Sequence, residues 1–450
     1  MLNGQTQLAR FAAGLRIGDL PATVRTRAGE IASDLSAVIA AGMREAPMRR
    51  LAATLAPAEA GGPCDVLSHP SRTRSEAAAL LHGTAGTFLE LDEGNRFSRG
   101  HPGVHVFPAA LAVAQERHAT GRELLAALVA GYEVAARLGA ACEVRPGVHP
   151  HGTWGTVGAA VAVRKLLGTN EASMERTIAI ASTLGLATSV KTMREGGLVR
   201  NAFAGAAGKM GILANALADA GFSGENDGLA SVYGGIIATG FDWHRMLQDL
   251  GTRWEMLRNY FKLHACCRFS HAALDALAIA LARAPHPVTV DDIERIDVDT
   301  YSLAAQLVNP DPVNGLAAKY SLPFAVATAL VNGSTGIEAF ADATVDDPAV
   351  RRLAHKVQVR EDTAMTQQLP ALRQARVRLV LHSGEVLKAF VHTNRGDAET
   401  PYASAELEDK FMRLAQGTWS EPEATRIRRR LLALEDVRDT SALFGEANES

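Results

Sequence analysis

Apolar positions in residues 1–260 recur every three or four residues, the spacing of amphipathic helices, and alanine and leucine dominate them. One helix is marked at its start by Thr120-Gly-Arg-Glu123, which has the spacing of a capping box, and Gly139 is suited to end it. Small-residue faces such as AGAAGKMGILANALADAG indicate close packing between helices. The pattern predicts helices near 5–15, 22–43, 71–89, 107–117, 120–139, 153–167, 172–186, 201–220 and 243–249.

The pattern changes after about residue 285. Ile293 to Tyr301 alternates apolar and polar residues, as a half-buried strand does, and 357–359 is a shorter candidate strand. Residues 376–392 read as a hairpin that turns at Ser383-Gly384. Helical segments are predicted between these strands and again in the C-terminal tail; they lie near 272–284, 321–332, 346–354, 403–416 and 420–435. We therefore predict a mainly α protein with an inserted α+β domain at 272–400, and an all-helical domain formed by 1–271 and 401–450.

Length and charge narrow the class of protein. A chain of 450 residues is too long to fold around one hydrophobic core, so we predict two domains or three. The formal charge of −3 and the lack of a polybasic run give no surface for nucleic acid, so a small-molecule partner is expected.

The cysteines and the apolar segments predict the compartment. Four cysteines show neither CxxC spacing nor a disulfide framework, which favours a reducing cytoplasm. The N-terminal residues lack an apolar signal core. The most apolar long segment, Leu124 to Cys142, is interrupted by Glu133 and Arg137, so we predict a buried helix and no membrane partner.

Candidate chemistry is densest from His82 to His105, where a helix of small residues breaks into a glycine-containing loop. Acids, arginines and histidines lie together there, as proton transfer on an anionic substrate requires. Taken alone, the stretch is equally compatible with an ordinary charged surface loop. The histidines lack HExxH spacing, the acids lack an EF-hand frame, and no glycine-rich loop follows a strand, so no metal, NAD or ATP is expected.

Six motifs in order resemble those of the MmgE/PrpD family, over nearly the whole chain. They are His82-Gly-Thr-Ala-Gly-Thr-Phe-Leu-Glu-Leu-Asp-Glu93, His101-Pro-Gly-Val-His-Val-Phe-Pro-Ala-Ala110, the GYEV–RLG segment at 131–139, Val148-His-Pro-His-Gly-Thr-Trp-Gly-Thr156, Cys267 to Ala276, and Ser321 to Ala325. The resemblance implies that 272–400 is a smaller α+β lid on the helical domain, that the protein is a homodimer, and that the active site lies between the domains. It further implies a small di- or tricarboxylate substrate and no redox cofactor.

The resemblance also implies which residues are catalytic. His101, His149 and His271 match active-site histidines, and Glu90 and Asp92 match an acidic motif in which Glu90 replaces the family's aspartate. Thr87 stands where the family has a histidine. His151, beside His149, is expected either to support an active-site residue without touching substrate or to be structural.

Arg200 stands where a family lysine usually does. Arginine binds a carboxylate through two hydrogen bonds but transfers protons poorly, so we assign Arg200 to anion binding. The alternative is that Lys191, nine residues upstream, supplies the missing amine as a base. Further candidates for substrate binding are Arg96, Arg99, Arg268, Thr153 and Tyr320; Gly152 and Thr153 are expected to offer free N–H groups at a helix start.

These residues predict an enzyme that abstracts a proton α to a carboxylate. A hydro-lyase of the 2-methylcitrate dehydratase type is the first interpretation. The alternatives are an epimerase of an amino-dicarboxylate such as iminodisuccinate, which the altered acidic loop and Arg200 favour, and a cis-aconitate decarboxylase-like activity. A non-catalytic binding protein is the remaining hypothesis, and the three histidines argue against it.

Overall fold

The computed structural model describes residues 3–58 and 61–445, and most of them are helical. The outer ends of the predicted helical domain, residues 1–2 and 446–450, and residues 59–60 lie outside this range. Helices in the first half are α1 Gly4–Gly14, α2 Ala22–Met43, α3 Ala46–Ala58, α4 Ser75–Phe88, α5 Pro102–Glu116, α6 Gly121–Ala141, α7 Gly155–Leu166, α8 Glu171–Ser182, α9 Val190–Arg194, α10 Ala202–Asp219, α11 Gly228–Ala230 and α12 Trp243–Leu247. Helices in the second half are α13 His271–Ala282, α14 Gly315–Lys319, α15 Leu322–Val331, α16 Asp342–Val345, α17 Pro348–Ala354, α18 Thr363–Thr366, α19 Ser404–Ala415 and α20 Glu421–Leu432.

The strands form one four-stranded sheet and three short pairs. They are β1 Cys64–Asp65, β2 Arg72–Thr73, β3 Gly94–Asn95, β4 Cys142–Val144, β5 Ala238–Phe241, β6 Asn259–Tyr260, β7 Ile293–Thr300, β8 Val357–Glu361, β9 Ala375–Leu381 and β10 Val386–Val391. The larger sheet has the order β10-β9-β7-β8, in which only β7 and β8 are parallel. The pairs are β1–β2, β3–β6 and β4–β5. The predicted strands and hairpin are confirmed, and Gly384 takes the left-handed conformation that the hairpin turn needs, with φ of 88°.

Two features of the helical part differ from the prediction. It is not purely helical, because the three strand pairs lie wholly or partly in the segment expected to be all-helical. Helix α5 begins at Pro102, five residues before the predicted start near 107, because proline is favourable in the first turn of a helix. His101 is therefore the residue that precedes α5, which fixes its backbone next to a rigid element.

Close helix packing brings the ends of α4 and α10 together. A Cβ atom on Gly83 would lie 2.6 Å from the Cα of Gly205, and one on Gly205 would lie 2.1 Å from the carbonyl oxygen of Leu80. Only glycine fits at both positions, so the two backbones approach each other closely. The contact brings two helix ends close to each other. Glu90 follows the C-terminal end of α4, and Arg200 precedes the N-terminal end of α10.

The tail packs back on the helical part, as predicted, through α19 and α20 against α2. Helix α6 has the predicted capping box and, among the described residues, is the one helix long and apolar enough to cross a membrane. Its apolar window is 94% buried inside the protein, which is the environment of a core helix.

Candidate active site

The acidic segment begins where α4 stops. Leu89 ends the helix and Glu90 follows with φ of 55°, a left-handed conformation that costs a residue with a Cβ about 1 kcal/mol. Four residues later the chain enters β3, which pairs with β6 so that Gly94 lies opposite Tyr260. The turn and the short strand pair place Glu90 and Asp92 beside the chain that follows β6.

Four buried charges meet at this point. The guanidinium of Arg200 forms an ion pair with Glu90, and the Lys262 Nζ lies 3.5 Å from the Glu90 carboxylate and 3.7 Å from that of Asp92. Lys262 also donates to the Glu90 carbonyl oxygen at 3.0 Å. All four residues are 2% exposed or less as side chains, so the charges interact with little screening by water.

The pKa shifts show that both acids are ionised. Burial disfavours the Glu90 carboxylate, but Arg200 and then Lys262 outweigh burial and lower its pKa. Burial likewise opposes ionisation of Asp92, and His101 and Lys262 hold its pKa well below the usual range. Burial lowers the pKa of Lys262, but Glu90 and Asp92 outweigh burial and raise it above the usual value. The cluster therefore holds two carboxylates and two cations.

His101 and Asp92 form a dyad. The Nδ1 atom of His101 donates to the Glu93 carbonyl oxygen at 2.7 Å and lies 2.9 Å from Asp92 Oδ2, close enough for a charge contact with that carboxylate. This arrangement places the proton of the neutral ring on Nδ1 and leaves Nε2 as the basic atom. A carboxylate on the far side of an imidazole stabilises the imidazolium that forms when Nε2 takes a proton.

Three more histidines surround this dyad. The His151 ring lies edge-on to His101, His105 and His149 at centroid distances of 4.9, 5.1 and 4.8 Å. Burial and then Arg200 lower the pKa values of His149 and His151 well below the ordinary value, so both rings are neutral at physiological pH. His149 Nε2 lies 3.4 Å from the Nε of Arg200. His151, which we expected to be a supporting or a structural residue, lies in the centre of the group.

His105 joins two of the segments that carry these rings. Its Nδ1 donates to the carbonyl oxygen of His101 at 2.7 Å, and its Nε2 accepts the backbone N–H of Gly152 at 3.2 Å. Burial lowers the pKa of His105 to about 4, which keeps this neutral form. The Gly152 N–H is therefore occupied, and that of Thr153 bonds to Pro150, so the free N–H groups that we expected at this helix start are absent.

Glu93 anchors the start of α5. Its carboxyl oxygens accept the Gly103 N–H at 2.8 Å and the Tyr132 hydroxyl at 3.0 Å. Burial raises the pKa of Glu93 to about 8, since the two hydrogen bonds offset only part of the lost hydration. A carboxyl group at a helix N-terminus, next to the residue that precedes the helix, fixes the position of His101.

The raised pKa of Glu93 makes stability depend on pH. Between the unfolded value of 4.5 and about 8, the folded protein keeps a proton that the unfolded chain releases. The stabilisation from this group is full below pH 4.5 and is lost as pH rises through 8. We expect Glu93→Gln to be more favourable relative to wild type at pH 9 than at pH 6, as measured by Tm at both values. A Tm of the variant minus that of wild type which stays constant or becomes more negative from pH 6 to pH 9 would contradict the assignment.

Tyr320 and Tyr260 add aromatic walls from the second half of the chain. The Arg200 guanidinium lies 5.3 Å from the centroid of the Tyr320 ring, and the Tyr260 ring lies 6.0 Å from that of His101. Burial raises the pKa of both phenols, which therefore remain protonated donors. Lys319 reaches the same region and donates to the Phe88 carbonyl oxygen at 2.9 Å, at the end of α4.

Several predicted substrate-binding arginines have other partners. Arg96 and Arg268 both bind Asp397, at 3.2 and 2.9 Å, and Arg96 also pairs with Glu399. The two guanidinium groups thus join the loop after β3 and the segment before α13 to the loop after β10. Arg99 is exposed, with φ of 56°. In this structure none of these three is free inside the cluster to bind a substrate carboxylate.

His271 and Thr153 are buried and already bonded. The Arg268 guanidinium donates to His271 Nδ1 at 2.9 Å, and His271 Nε2 donates to the Cys266 carbonyl oxygen at 3.2 Å. Burial and then Arg268 lower the pKa of His271 well below its usual value. The Thr153 hydroxyl donates to the Pro150 carbonyl oxygen at 2.5 Å. The bonds given for these two side chains do not include His101 or Asp92, and catalysis by His271 stays a prediction.

Lys191 does not reach the cluster. Its side chain is 76% exposed and pairs with Glu195 at 3.3 Å, one turn along α9. The amine in the cluster is instead Lys262, which sequence reasoning missed because it lies in the irregular segment after β6. The signal available was a lysine two residues after a strand-forming Asn-Tyr pair, and this is too weak to single out a residue.

The two lysines provide a matched test. We expect Lys262→Met to lower activity by at least 100-fold, because it leaves Glu90 and Asp92 without a shared cation, and Lys191→Met to leave activity within about twofold. Steady-state kinetics of both variants checks this. Equal effects of the two substitutions would contradict the placement.

Among residues 3–58 and 61–445, no three or more histidine, cysteine or acidic side chains are grouped so that they could hold a metal ion. The expectation that the reaction uses no cofactor remains a prediction. The four cysteines are free and buried.

Two protein-family models match consecutive parts of the chain. The MmgE/PrpD N-terminal domain matches residues 6–244, and the MmgE/PrpD C-terminal domain matches residues 264–436. The chain belongs to the MmgE/PrpD family. Glu90, Asp92, His101 and Arg200 lie in the first MmgE/PrpD domain, and Tyr320 lies in the second. Lys262 lies in the segment between the two matches.

Curated MmgE/PrpD relatives align over most of the chain. A cis-aconitate decarboxylase of Aspergillus terreus is 24% identical over 98% of this chain and 94% of its own length. A cis-aconitate decarboxylase-like protein of Aspergillus oryzae is 25% identical over 98% and 96%. The human cis-aconitate decarboxylase is 25% identical over 81% and 78%. These relatives are lyases that act on a small carboxylate, which supports the same broad class for this member of the family.

Proposed function

We propose that this protein is a cofactor-independent lyase that abstracts a proton next to a carboxylate of a small di- or tricarboxylate. The observation that carries the proposal is the His101–Asp92 dyad, 2.9 Å between Nδ1 and Oδ2, beside the buried cations Arg200 and Lys262. A base, its orienting acid and two cations are the groups that formation of a carbanion next to a carboxylate needs.

The proton moves to His101 in this scheme. Nε2 takes the proton from the carbon, and the electron pair of the broken C–H bond spreads into the neighbouring carboxylate. Asp92 stabilises the resulting imidazolium through Nδ1. Arg200 and Lys262 stabilise the added negative charge, and their existing pairs with Glu90 and Asp92 hold them in place before substrate binds.

A second group must protonate what leaves. Glu90 and Asp92 are ionised, so neither is ready to act as an acid. The Lys262 ammonium, 3.5 and 3.7 Å from the two carboxylates, can supply the proton. In dehydration, the hydroxyl group departs as water while the electron pair forms a carbon–carbon double bond.

Dehydration of a 2-methylcitrate-like substrate is our first candidate for the specific reaction. Decarboxylation of cis-aconitate is the second, and alignment with cis-aconitate decarboxylases over 98% of the chain favours it. In that reaction a carbon–carbon bond breaks in place of the C–H bond, CO2 leaves, and the electron pair on carbon takes a proton. It shares the stabilised carbanion with dehydration but not the proton abstraction. Epimerisation of an amino-dicarboxylate requires two bases, for which His101 and His149 are the candidates.

The test offers purified protein 2-methylcitrate, cis-aconitate and iminodisuccinate in separate reactions followed by NMR. New olefinic signals from 2-methylcitrate identify the dehydratase, release of CO2 identifies the decarboxylase, and loss of optical activity identifies the epimerase. Absence of turnover with all three, by a protein that is folded by circular dichroism, would contradict the proposal and favour a non-catalytic member.

Two further properties belong to the proposal. We propose that the protein is cytoplasmic, which its free, buried cysteines support. We also propose a homodimer on the family resemblance, and light scattering after size-exclusion chromatography would measure the mass.

A further inference from the structure

One side chain of the tail reaches the acidic segment from behind. Lys410, on α19, is 4% exposed, and its ammonium donates to Asp34 Oδ1 at 2.5 Å and to the carbonyl oxygen of Leu91 at 2.8 Å. Leu91 is the residue between Glu90 and Asp92. The tail therefore holds the peptide that joins the two acids of the candidate site.

Packing of α19 against α2 does not by itself explain a buried charge pair. Removing an ammonium and a carboxylate from water costs more than a hydrophobic pair of the same size, so a buried ion pair is a poor source of stability. Asp34 is 8% exposed, and its Oδ2 atom has no hydrogen-bond partner among the described residues. What the pair provides is a fixed donor at the Leu91 carbonyl group.

The charges of the pair also act on the site itself. Burial has the largest effect on the pKa of Asp34, and the charges of Lys410, Asp92 and Lys262 follow. The pKa of Lys410 also depends first on burial and then on the charges of Asp34, Lys262 and Asp92. The pair on α2 and α19 thus interacts electrostatically with the same Asp92 and Lys262 that face His101.

We propose that Lys410 and Asp34 are positioning residues of the active site. Lys410 holds the Leu91 carbonyl group, so that Glu90 stays against Arg200 and Asp92 stays against His101. Asp34 keeps Lys410 in place. The catalytic part of this inference rests on the proposed function, while the structural part does not.

A cavity next to the pair makes a direct test possible. It has a volume of about 90 Å³ and lies between α2, α19 and α20, with Asp34 and Lys410 in its wall and the exposed Ser404 at its outer side. Truncation of Lys410 to alanine enlarges this space by the length of a propylammonium ion. A small primary amine can therefore take the place of the missing side chain.

The first experiment does not depend on activity. Hydrogen–deuterium exchange of peptides covering residues 89–99 is compared between wild type and the double variant Lys410→Met with Asp34→Asn, which removes both charges together. We expect exchange in this segment to become about tenfold faster or more, the change that corresponds to about 1.4 kcal/mol. Exchange equal to wild type would overturn the proposal.

The matched control uses an ion pair on the same helix. Arg413 and Asp409 pair at 3.1 Å on the exposed side of α19, with side chains 61% and 66% exposed. The double variant Arg413→Met with Asp409→Asn should leave exchange in residues 89–99 unchanged. An increase as large as that of the buried pair would show a general loosening of α19 and would overturn the specific role.

The second experiment measures catalysis and rescue. Lys410→Ala is expected to lower kcat 10- to 100-fold, the scale of a small displacement of catalytic groups, and to leave KM within about twofold. Added n-propylammonium should restore kcat, while tetramethylammonium, which has no N–H donor, should not. Wild-type kcat in Lys410→Ala, or in the charge-free double variant if the alanine variant does not fold, would overturn the proposal. If wild type turns over no carboxylate, the proposed function fails and the exchange experiment still decides the positioning role.

Discussion

Replacement of His101 by glutamine is expected to lower kcat by about 10²- to 10⁴-fold, the usual contribution of a general base. Glutamine fills the same space and can donate to Asp92 or the Glu93 carbonyl oxygen, but it has no basic atom where Nε2 lies. Steady-state kinetics with the substrate identified in the turnover assay measures the effect. Because the His101 side chain is 12% exposed and its hydrogen bonds can be partly replaced, Tm should change by only a few degrees.

A second histidine–aspartate pair offers the control for this variant. His118 Nδ1 lies 2.9 Å from Asp439 Oδ2, the same separation as in the His101–Asp92 dyad, but its side chain is 64% exposed. His118→Gln should leave kcat within about twofold, since an exposed pair contributes little. Activity of His101→Gln above a tenth of the wild-type value would rule out His101 as the base.

Replacement of Arg200 by methionine is expected to destabilise the protein by about 3–5 kcal/mol. Glu90 would remain buried with Lys262 alone, and Lys262 is already shared with Asp92. The free energy of unfolding in urea measures the loss. The variant should also be inactive, because the cation nearest to Glu90 and Tyr320 is removed.

Two further variants show whether the effect comes from the unpaired charge. Arg200→Met combined with Glu90→Gln removes both charges and should recover most of the lost stability without recovering activity. Arg10 pairs with Glu171 at 2.8 Å on the surface, so Arg10→Met should leave the free energy of unfolding close to that of wild type. A double variant as unstable as Arg200→Met would contradict the central place of the Glu90–Arg200 pair.

Local patterns predicted the regular elements well. The alternation of Ile293 to Tyr301 corresponds to β7, and the capping box at Thr120 begins α6, because both signals depend on neighbouring residues only. The three strand pairs of the first half were missed, since segments of two to four residues carry no measurable periodicity. Helix α3 was missed as well.

The residues of the candidate site could be predicted where they lie in recognisable motifs. They could not be predicted where they come from segments far away in the sequence. Glu90, Asp92, His101, His149 and Arg200 lie together in the structure, and their catalytic and binding roles stay predictions. Lys262 is 172 residues from Glu90 in the sequence, and pairing of β3 with β6 brings the two together. No local sequence pattern predicts this pairing.

The partner of Arg96 and Arg268 could not be predicted from the sequence either. Arg96 and Arg268 were assigned to substrate because nothing in their own segments reveals a partner. The carboxylate that binds them lies 301 and 129 residues away, respectively. The counter-charge of these two arginines could therefore be found only from the fold.

Deuterium exchange at the substrate carbon is the most direct test of proton abstraction by the His101–Asp92 dyad. The protein is incubated in D2O with the substrate that it turns over, and NMR follows the C–H next to the carboxylate. We predict that wild type breaks this bond, with deuterium entering recovered substrate or product at that carbon, and that His101→Gln loses this ability while His118→Gln keeps it. Wild-type turnover that leaves the C–H bond intact, or equal C–H cleavage by His101→Gln, would contradict proton abstraction by the His101–Asp92 dyad.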